Sequence, residues 1–276
     1  MTSYTRRFYK LSGSGNDFIF FDARTEAAGV LAEASTVQRL CARGTGVGAD
    51  GVVFLLPHDR GPFAIRYLNA DGSLASLCGN ATLCSARLAV ELGLASPGES
   101  FEFGTDDGMV RARLVGGEPE VELRAVEELA EVFTPAGEPY TTGPLGFARV
   151  GVPHLVAAVE DVEGVDVEGT GRMLRRDPGL RDGANVNFVS PLATGAGWRM
   201  RTYERGVEAE TLACGTGAVA TVAVLRAWGL AGSETRIQTS SGRFLTVSLP
   251  GNEGDSAPRL RGEGRIVFRG ELAVED

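Results

Sequence analysis

The chain carries a diverged copy of part of itself. Placing LCGNATLCSARLAVELGLA (77–95) under ACGTGAVATVAVLRAWGLA (213–231) aligns Cys78 with Cys214 and Gly79 with Gly215. At the far end Gly93-Leu94-Ala95 falls on Gly229-Leu230-Ala231, and the offset is 136 residues throughout. Just beyond, TDDGMVRARL (105–114) and TSSGRFLTVSL (239–249) share Thr-x-x-Gly followed by an alternating segment, at an offset of 134. Both offsets are close to half of the 276 residues, so the chain reads as two homologous halves.

Each half reads the same way. Small residues after the cysteine suit a helix start. An apolar helix of roughly 14 residues follows, carrying Leu83, Leu88 and Leu92 in one half and Val219, Val222 and Leu225 in the other. Gly93 or Gly229 stops it, as a left-handed C-terminal glycine does. Both helices are apolar nearly all round, which predicts burial inside each half. Ten segments read as strands: DFIFFD, GVVFLL, FAIRYLN, MVRARLV, EVELR, HLVAAV, VNFVS, WRMRTYE, RFLTVSL and RIVFRGEL. The predicted fold is an α/β (α+β) chain of two pseudo-symmetric domains, each a mixed or antiparallel sheet wrapped around a central helix. The domains are expected at 1–125 plus 264–276 and at 126–263, with a Pro/Gly-rich linker near 124–145. The last strand, GRIVFRGEL, is expected to return to the first half.

Charge and composition exclude several functions. A net charge of -9 provides no basic face for nucleic acid or an anionic membrane. No run approaches the roughly 20 apolar residues of a membrane span, and the N-terminus has no apolar signal region, so a cytoplasmic location is expected. Lys10 is the only lysine, which leaves neither a Schiff-base nor a Walker lysine unless Lys10 serves. His58 and His154 are too scattered for a zinc site. GVGADG (46–51) spells a dinucleotide fingerprint, but it runs straight into the apparent strand VVFLL instead of opening a helix. No Gly-x-Ser-x-Gly is present to suggest a hydrolase.

The matched cysteines are the chemical clue. A lone Cys214 would read as a core thiol, and Cys41 and Cys84, which have no repeat partner, do read that way. Cys78 and Cys214 instead stand at equivalent helix starts, where unpaired N–H groups favour a thiolate. Two thiols facing each other across a pseudo-twofold axis would suit stereoinversion of one carbon. One removes the α-proton and the other delivers a proton to the opposite face. Gly79-Asn80 and Gly215-Thr216 would supply N–H groups to the substrate carboxylate. Such thiols are expected to join as a disulfide on oxidation.

Four motifs, in order along the whole chain, resemble those of the diaminopimelate epimerase family: GSGNDFIFFD, RGTGVGADG, RYLNADGSLASLCGN and ERGVEAETLACGTGA. The resemblance implies a cofactor-independent homodimer that interconverts LL- and meso-diaminopimelate, a small amino-acid substrate, with no metal. It implies Cys78 and Cys214 as the acid/base pair, supported by His154 and Glu204. It implies Gly79, Asn80, Gly215 and Thr216 at the reacting carboxylate, with Asn16 nearby. Asn69, Asn185, Glu204 and Arg205 are implied at the distal amino-acid head. Taken as bare residues, Glu204-Arg205 reads as a solvated pair and Asn69 and Asn185 as turn residues. The chain departs from the family at Val152, where an asparagine is usual, at Gly51, where a glutamine is frequent, and in a loop from Glu204 to Cys214 that is one residue longer and expected to bulge. Phe268 is the aromatic nearest the tyrosine that the family carries in its last strand. Two alternatives stay open: epimerisation of another amino acid, such as histidine or hydroxyproline, and non-catalytic binding of a small molecule.

Overall fold

A computed structural model describes residues 3–75, 78–140, 142–251 and 257–275. Ser76 and Leu77 of the stretch leading to Cys78, and Thr141 of the expected linker, lie outside the described residues. The chain forms two compact units, Met1–Val121 with Gly262–Asp276, and Glu122–Arg261.

The first unit contains β1 (Ser3–Gly13), β2 (Asn16–Asp22), α1 (Ala34–Cys41), β3 (Gly51–Leu56), β4 (Ala64–Asn69), α2 (Gly79–Glu91), β5 (Phe101–Thr105), β6 (Gly108–Val115) and β7 (Glu118–Glu122). The second contains β8 (Glu128–Ala130), β9 (Leu145–Val150), β10 (Val152–Ala158), α3 (Val167–Arg175), β11 (Asn185–Pro191), β12 (Trp198–Glu204), β13 (Ala209–Thr211), α4 (Gly215–Ala227), β14 (Glu234–Gln238) and β15 (Phe244–Ser248). β16 (Arg259–Gly262) and β17 (Arg265–Glu275) complete the chain. The mixed sheet-and-helix fold is the one expected from the sequence.

Strand pairing repeats between the units. In the first, β1 pairs antiparallel with β2, β2 parallel with β3, β3 antiparallel with β4, β4 parallel with β5 and β5 antiparallel with β6. In the second, β9, β10, β11, β12, β14 and β15 follow the same alternation in the same order. A parallel neighbour requires a crossover, and α1 and α3, then α2 and α4, occupy the equivalent crossovers. The extra hairpin strand β13 is the main local difference. β17 returns to pair antiparallel with β1 over ten register positions.

Burial explains why the crossover helices differ. Ten of the 13 residues of α2 and ten of the 13 of α4 are buried. α2 packs on β1, β2, β6 and β17, and α4 on β9, β10, β11 and β15, so each is enclosed by its own strands. An all-round apolar surface is what such an enclosure needs. Both helices end at a left-handed glycine, Gly93 at φ 70 and Gly229 at φ 74. α1 and α3 are shorter, one-faced helices. α1 buries Val37, Leu40 and Cys41 in a cluster with Phe8, Ile19, Phe21, Leu31 and Phe54. α3 buries Val167 and Leu174 beside Leu155, Phe188 and Tyr203.

The expected linker is not bare. β8 pairs with β9, Phe133 donates its backbone N–H to Leu145 at 2.7 Å, and the Phe133 ring stacks on Phe147. At three residues, β8 is too short to show a strand periodicity in the sequence, and Pro135 and Gly137 follow shortly after it. Among the described residues no helix is long and apolar enough to cross a membrane.

Candidate functional site

Cys78 is the N-cap residue of α2, in extended backbone at φ -104 and ψ 116. Its carbonyl accepts the first helical bond from the Thr82 N–H at 2.9 Å. The Cβ that an alanine at Gly13 would carry would lie 2.8 Å from the Asn80 carbonyl oxygen and 2.9 Å from Cys84 Sγ. The glycine at the end of β1 therefore lets that strand press directly on the first turn of α2. Asn80 donates from Nδ2 to Asn16 Oδ1 at 2.6 Å, and Asn16 donates from its own Nδ2 to Asp50 Oδ2 at 3.0 Å. A carboxylate only accepts, so Asp50 fixes the Asn16 amide, and Asn16 fixes Asn80. The Asn80 Oδ1 is buried and has no hydrogen-bond partner among the described residues.

Beneath this pair lies a charged network. Arg43 reaches Asp17 at 2.6 Å and Asp50 at 2.8 Å, and buried Lys10 pairs with Asp17 at 2.6 Å and donates to the Gly48 carbonyl. Burial works against the charge on Asp17, but hydrogen bonds from Arg43 and Lys10 outweigh it and hold the carboxyl below its usual range. The only lysine of the chain is thus engaged in an ion pair. Asn69, at the end of β4, stands opposite Gly51 in the β3–β4 register, next to Asp50, and its Nδ2 donates to Ser73 Oγ at 3.0 Å.

Cys214 is the N-cap of α4, at φ -134 and ψ 111, and its thiol is buried. The Sγ accepts from the Gly217 N–H at 3.4 Å and lies 3.6 Å from Thr216 Oγ1. His154, on β10 and wholly enclosed, places Nε2 3.1 Å from the same hydroxyl. Burial first, and the charge of Arg205 second, push the His154 pKa down to about 3, so the ring is neutral. In the parallel register of β10 and β11, His154 stands opposite Asn185. Asn185 Oδ1 accepts from the Arg205 N–H at 2.8 Å, and the Arg205 guanidinium donates to the Asp182 carbonyl at 3.0 Å. Glu204, at the end of β12, accepts from the Thr211 hydroxyl at 2.9 Å. The stretch from Glu204 to Cys214 expected to bulge is instead a hairpin: a four-residue turn with Glu208 at φ 58, then β13 pairing back on β12. The Glu208 carboxylate accepts from the Gly206 N–H and from Arg175.

The residues nominated from the sequence therefore form two groups, each within one unit. Cys78, Gly79, Asn80 and Asn16 gather at the start of α2. Cys214, Gly215, Thr216, His154, Asn185, Glu204 and Arg205 gather around the start of α4. Sequence reasoning did not find Asp50, which orients Asn16, nor Asn187 and Thr202, which lie behind His154. Cys41 and Cys84 behave as core thiols: burial pushes Cys41 up to about 11, and burial together with the neighbouring Cys78 pushes Cys84 well up. None of the four cysteines is in a disulfide. At Gly51 a Cβ would lie 2.3 Å from the Tyr67 ring, so Tyr67 fills the space that a longer side chain would need.

Comparison with known proteins adds a family. The family model described as diaminopimelate epimerase matches residues 8–139 and 146–254. The diaminopimelate epimerase of Gemmatimonas aurantiaca is 45% identical over 276 residues, covering 96% of this chain and 99% of its own. That of Aquifex aeolicus is 39% identical, covering 97% and 98%. Among solved structures, a phenazine biosynthesis protein of the PhzF family from Bacillus anthracis superposes with a TM-score of 0.72 at 15% identity, covering 99% of this chain and 100% of its own. That likeness establishes the shared fold.

Proposed function

The chain belongs to the diaminopimelate epimerase family, and from that premise we propose that it converts LL-2,6-diaminopimelate to meso-diaminopimelate without a cofactor, using Cys78 and Cys214 as its acid/base pair. The observation that carries this reading is the placement of the two cysteines. Each is the N-cap of the enclosed helix at the equivalent crossover of its unit. In this reading one sulfur, as thiolate, takes the α-proton. The C–H bond breaks, an S–H bond forms, and the electron pair moves into the adjacent carboxylate. The other thiol gives its proton to the opposite face of the carbon.

The N–H groups at the starts of α2 and α4, at Gly79-Asn80 and Gly215-Thr216, suit the negative charge that develops on that carboxylate. The Asn80 side chain suits a different group. One Nδ2 hydrogen is given to Asn16, which fixes the amide, and its buried Oδ1, an acceptor without a partner among the described residues, is matched to the α-ammonium of an amino acid. At the distal head, Arg205 fits a carboxylate, Glu204 fits an ammonium, and Asn185 presents its Nδ2 because Arg205 occupies its oxygen. Asn69 is assigned to the same head. A cytoplasmic location is supported by four cysteines without a disulfide. A homodimer is supported by Val267 and Phe268, exposed on β17.

Reduced protein in D2O with LL-diaminopimelate, followed by proton NMR, tests the reading. Loss of the α-signal with growth of the meso isomer is expected. Exchange on histidine or hydroxyproline but not on diaminopimelate would move the substrate. No exchange on any of the three would leave a binding protein.

A further inference from the structure

Behind His154 lies a second polar residue that the proposed chemistry has not used. Asn187, on β11, is wholly buried. Its Nδ2 lies 3.0 Å from the Leu155 carbonyl oxygen and 3.3 Å from His154 Nδ1, and its Oδ1 accepts from the Thr202 hydroxyl at 3.0 Å. A backbone carbonyl can only accept, so the atom facing Leu155 is the amide nitrogen. The same NH2 group has a second hydrogen, and that hydrogen points at His154 Nδ1. A neutral imidazole that accepts at Nδ1 carries its proton on Nε2. Nε2 therefore donates to Thr216 Oγ1, which leaves the Thr216 hydrogen for Cys214 Sγ. Thr202, Asn187, His154 and Thr216 can then each direct one donor along the series towards the sulfur, while the other Asn187 N–H is held by the Leu155 carbonyl.

We infer that Asn187 is a positioning residue that fixes His154 as its Nε2–H tautomer, so that Thr216 donates a hydrogen bond to the Cys214 thiolate. Two further observations fit this assignment. The His154 ring is kept neutral by burial, so it acts as a directed dipole and not as a proton carrier. Gly217, whose N–H also donates to Cys214 Sγ, has no room for a Cβ because Asn187 Oδ1 would lie 2.5 Å from it. Asn187 thus touches both arms that reach the sulfur. The inference rests on the reading of Cys214 as a catalytic thiol, but the series of donors exists without it.

The test uses the tautomer and the thiol, not activity alone. The chain has only two histidines, so nitrogen-15 histidine labelling gives two rings, and the His58→Gln variant assigns them. His154 is expected with its proton on Nε2 at neutral pH. The Asn187→Asp variant keeps the shape but replaces the donor by an acceptor, and is expected to move a proton onto Nδ1. Loss of one hydrogen bond to a charged sulfur lowers the rate at which methyl methanethiosulfonate modifies Cys214 by about tenfold. Cys78 should keep its rate, and the fall in kcat should exceed any rise in KM. Thr216→Val should slow Cys214 likewise while leaving the tautomer in place, and it supplies the answer if Asn187→Asp does not fold. A wild-type proton on Nδ1, or a Cys214 rate unchanged in Thr216→Val, would overturn the inference. Epimerisation by wild type together with a proton on Nδ1 would reject the relay and keep the function. A correct tautomer and slowed thiol without epimerisation by wild type would do the reverse.

Discussion

At position 154 an imidazole is closed off from water and hydrogen-bonded at both nitrogens, and this has a thermodynamic consequence. Its pKa is about 3 in the folded protein and 6.5 as a free side chain. The unfolded chain therefore binds a proton that the folded one does not, so this group's stabilisation is complete above pH 6.5 and is lost as pH falls towards 3. Unfolding free energy measured by urea titration should fall with decreasing pH in that window, at up to about 1.4 kcal/mol per unit from this one group. His154→Gln should remove that component. A second residue-scale prediction concerns Gly217. A methyl group there would strike Asn187 Oδ1 and approach Cys214 Sγ at 3.1 Å. Gly217→Ala should cost about 1–3 kcal/mol of stability, seen as a lower urea midpoint, and should slow turnover. The cysteines were legible in the sequence because the repeat marked them twice. Asn187 and Thr202 were not, since a buried polar residue inside VNFVS or WRMRTYE has the same period-two pattern as its apolar neighbours. Only the side-chain partners distinguish it.

At the scale of elements, the two enclosed helices were readable and the two one-faced helices were not. α2 and α4 announce themselves by matching in the repeat, by leucines and valines at helical spacing and by a terminal glycine. α1, ASTVQRLC, has no side-chain cap at Glu33, and α3, VEGTGRMLR, contains two glycines, poor helix formers. Their stability comes from Val37 and Leu40, and from Val167 and Leu174, packing on the sheet. β1 was missed for a different reason. Arg6 and Lys10 occupy buried positions in SYTRRFYKLSG, so charge stands where alternation calls for apolar residues. Arg6 is accepted there because it donates to the carbonyls of Ala27 and Glu26, and Lys10 because Asp17 pairs with it. Leu225 of α4 tests the enclosure directly, since it is fully buried. Leu225→Ala should lower the unfolding free energy by about 2–5 kcal/mol, measurable by denaturant titration. A cost near zero would mean that α4 is not enclosed.

For the molecule as a whole, the duplication was the most legible feature, because its cysteines and glycines recur at an offset of about half the chain. The matching order of parallel and antiparallel pairings carries that likeness into the fold. The pairing of β17 with β1 closes the first unit with the end of the chain. Lys10 lies under that pairing, opposite Phe268, and is buried. Being the only lysine, it should resist amine acylation in the folded protein and react as the chain unfolds, which mass spectrometry of the peptide around Lys10 would report. The account's central claim is that Cys78 and Cys214 both act on one carbon, and the most direct measurement is deuterium uptake from D2O into LL-diaminopimelate by wild type, Cys78→Ala and Cys214→Ala. The account predicts that wild type produces meso isomer carrying one deuterium at the inverted carbon and that neither variant produces it. Inversion at the wild-type rate by either variant would contradict it.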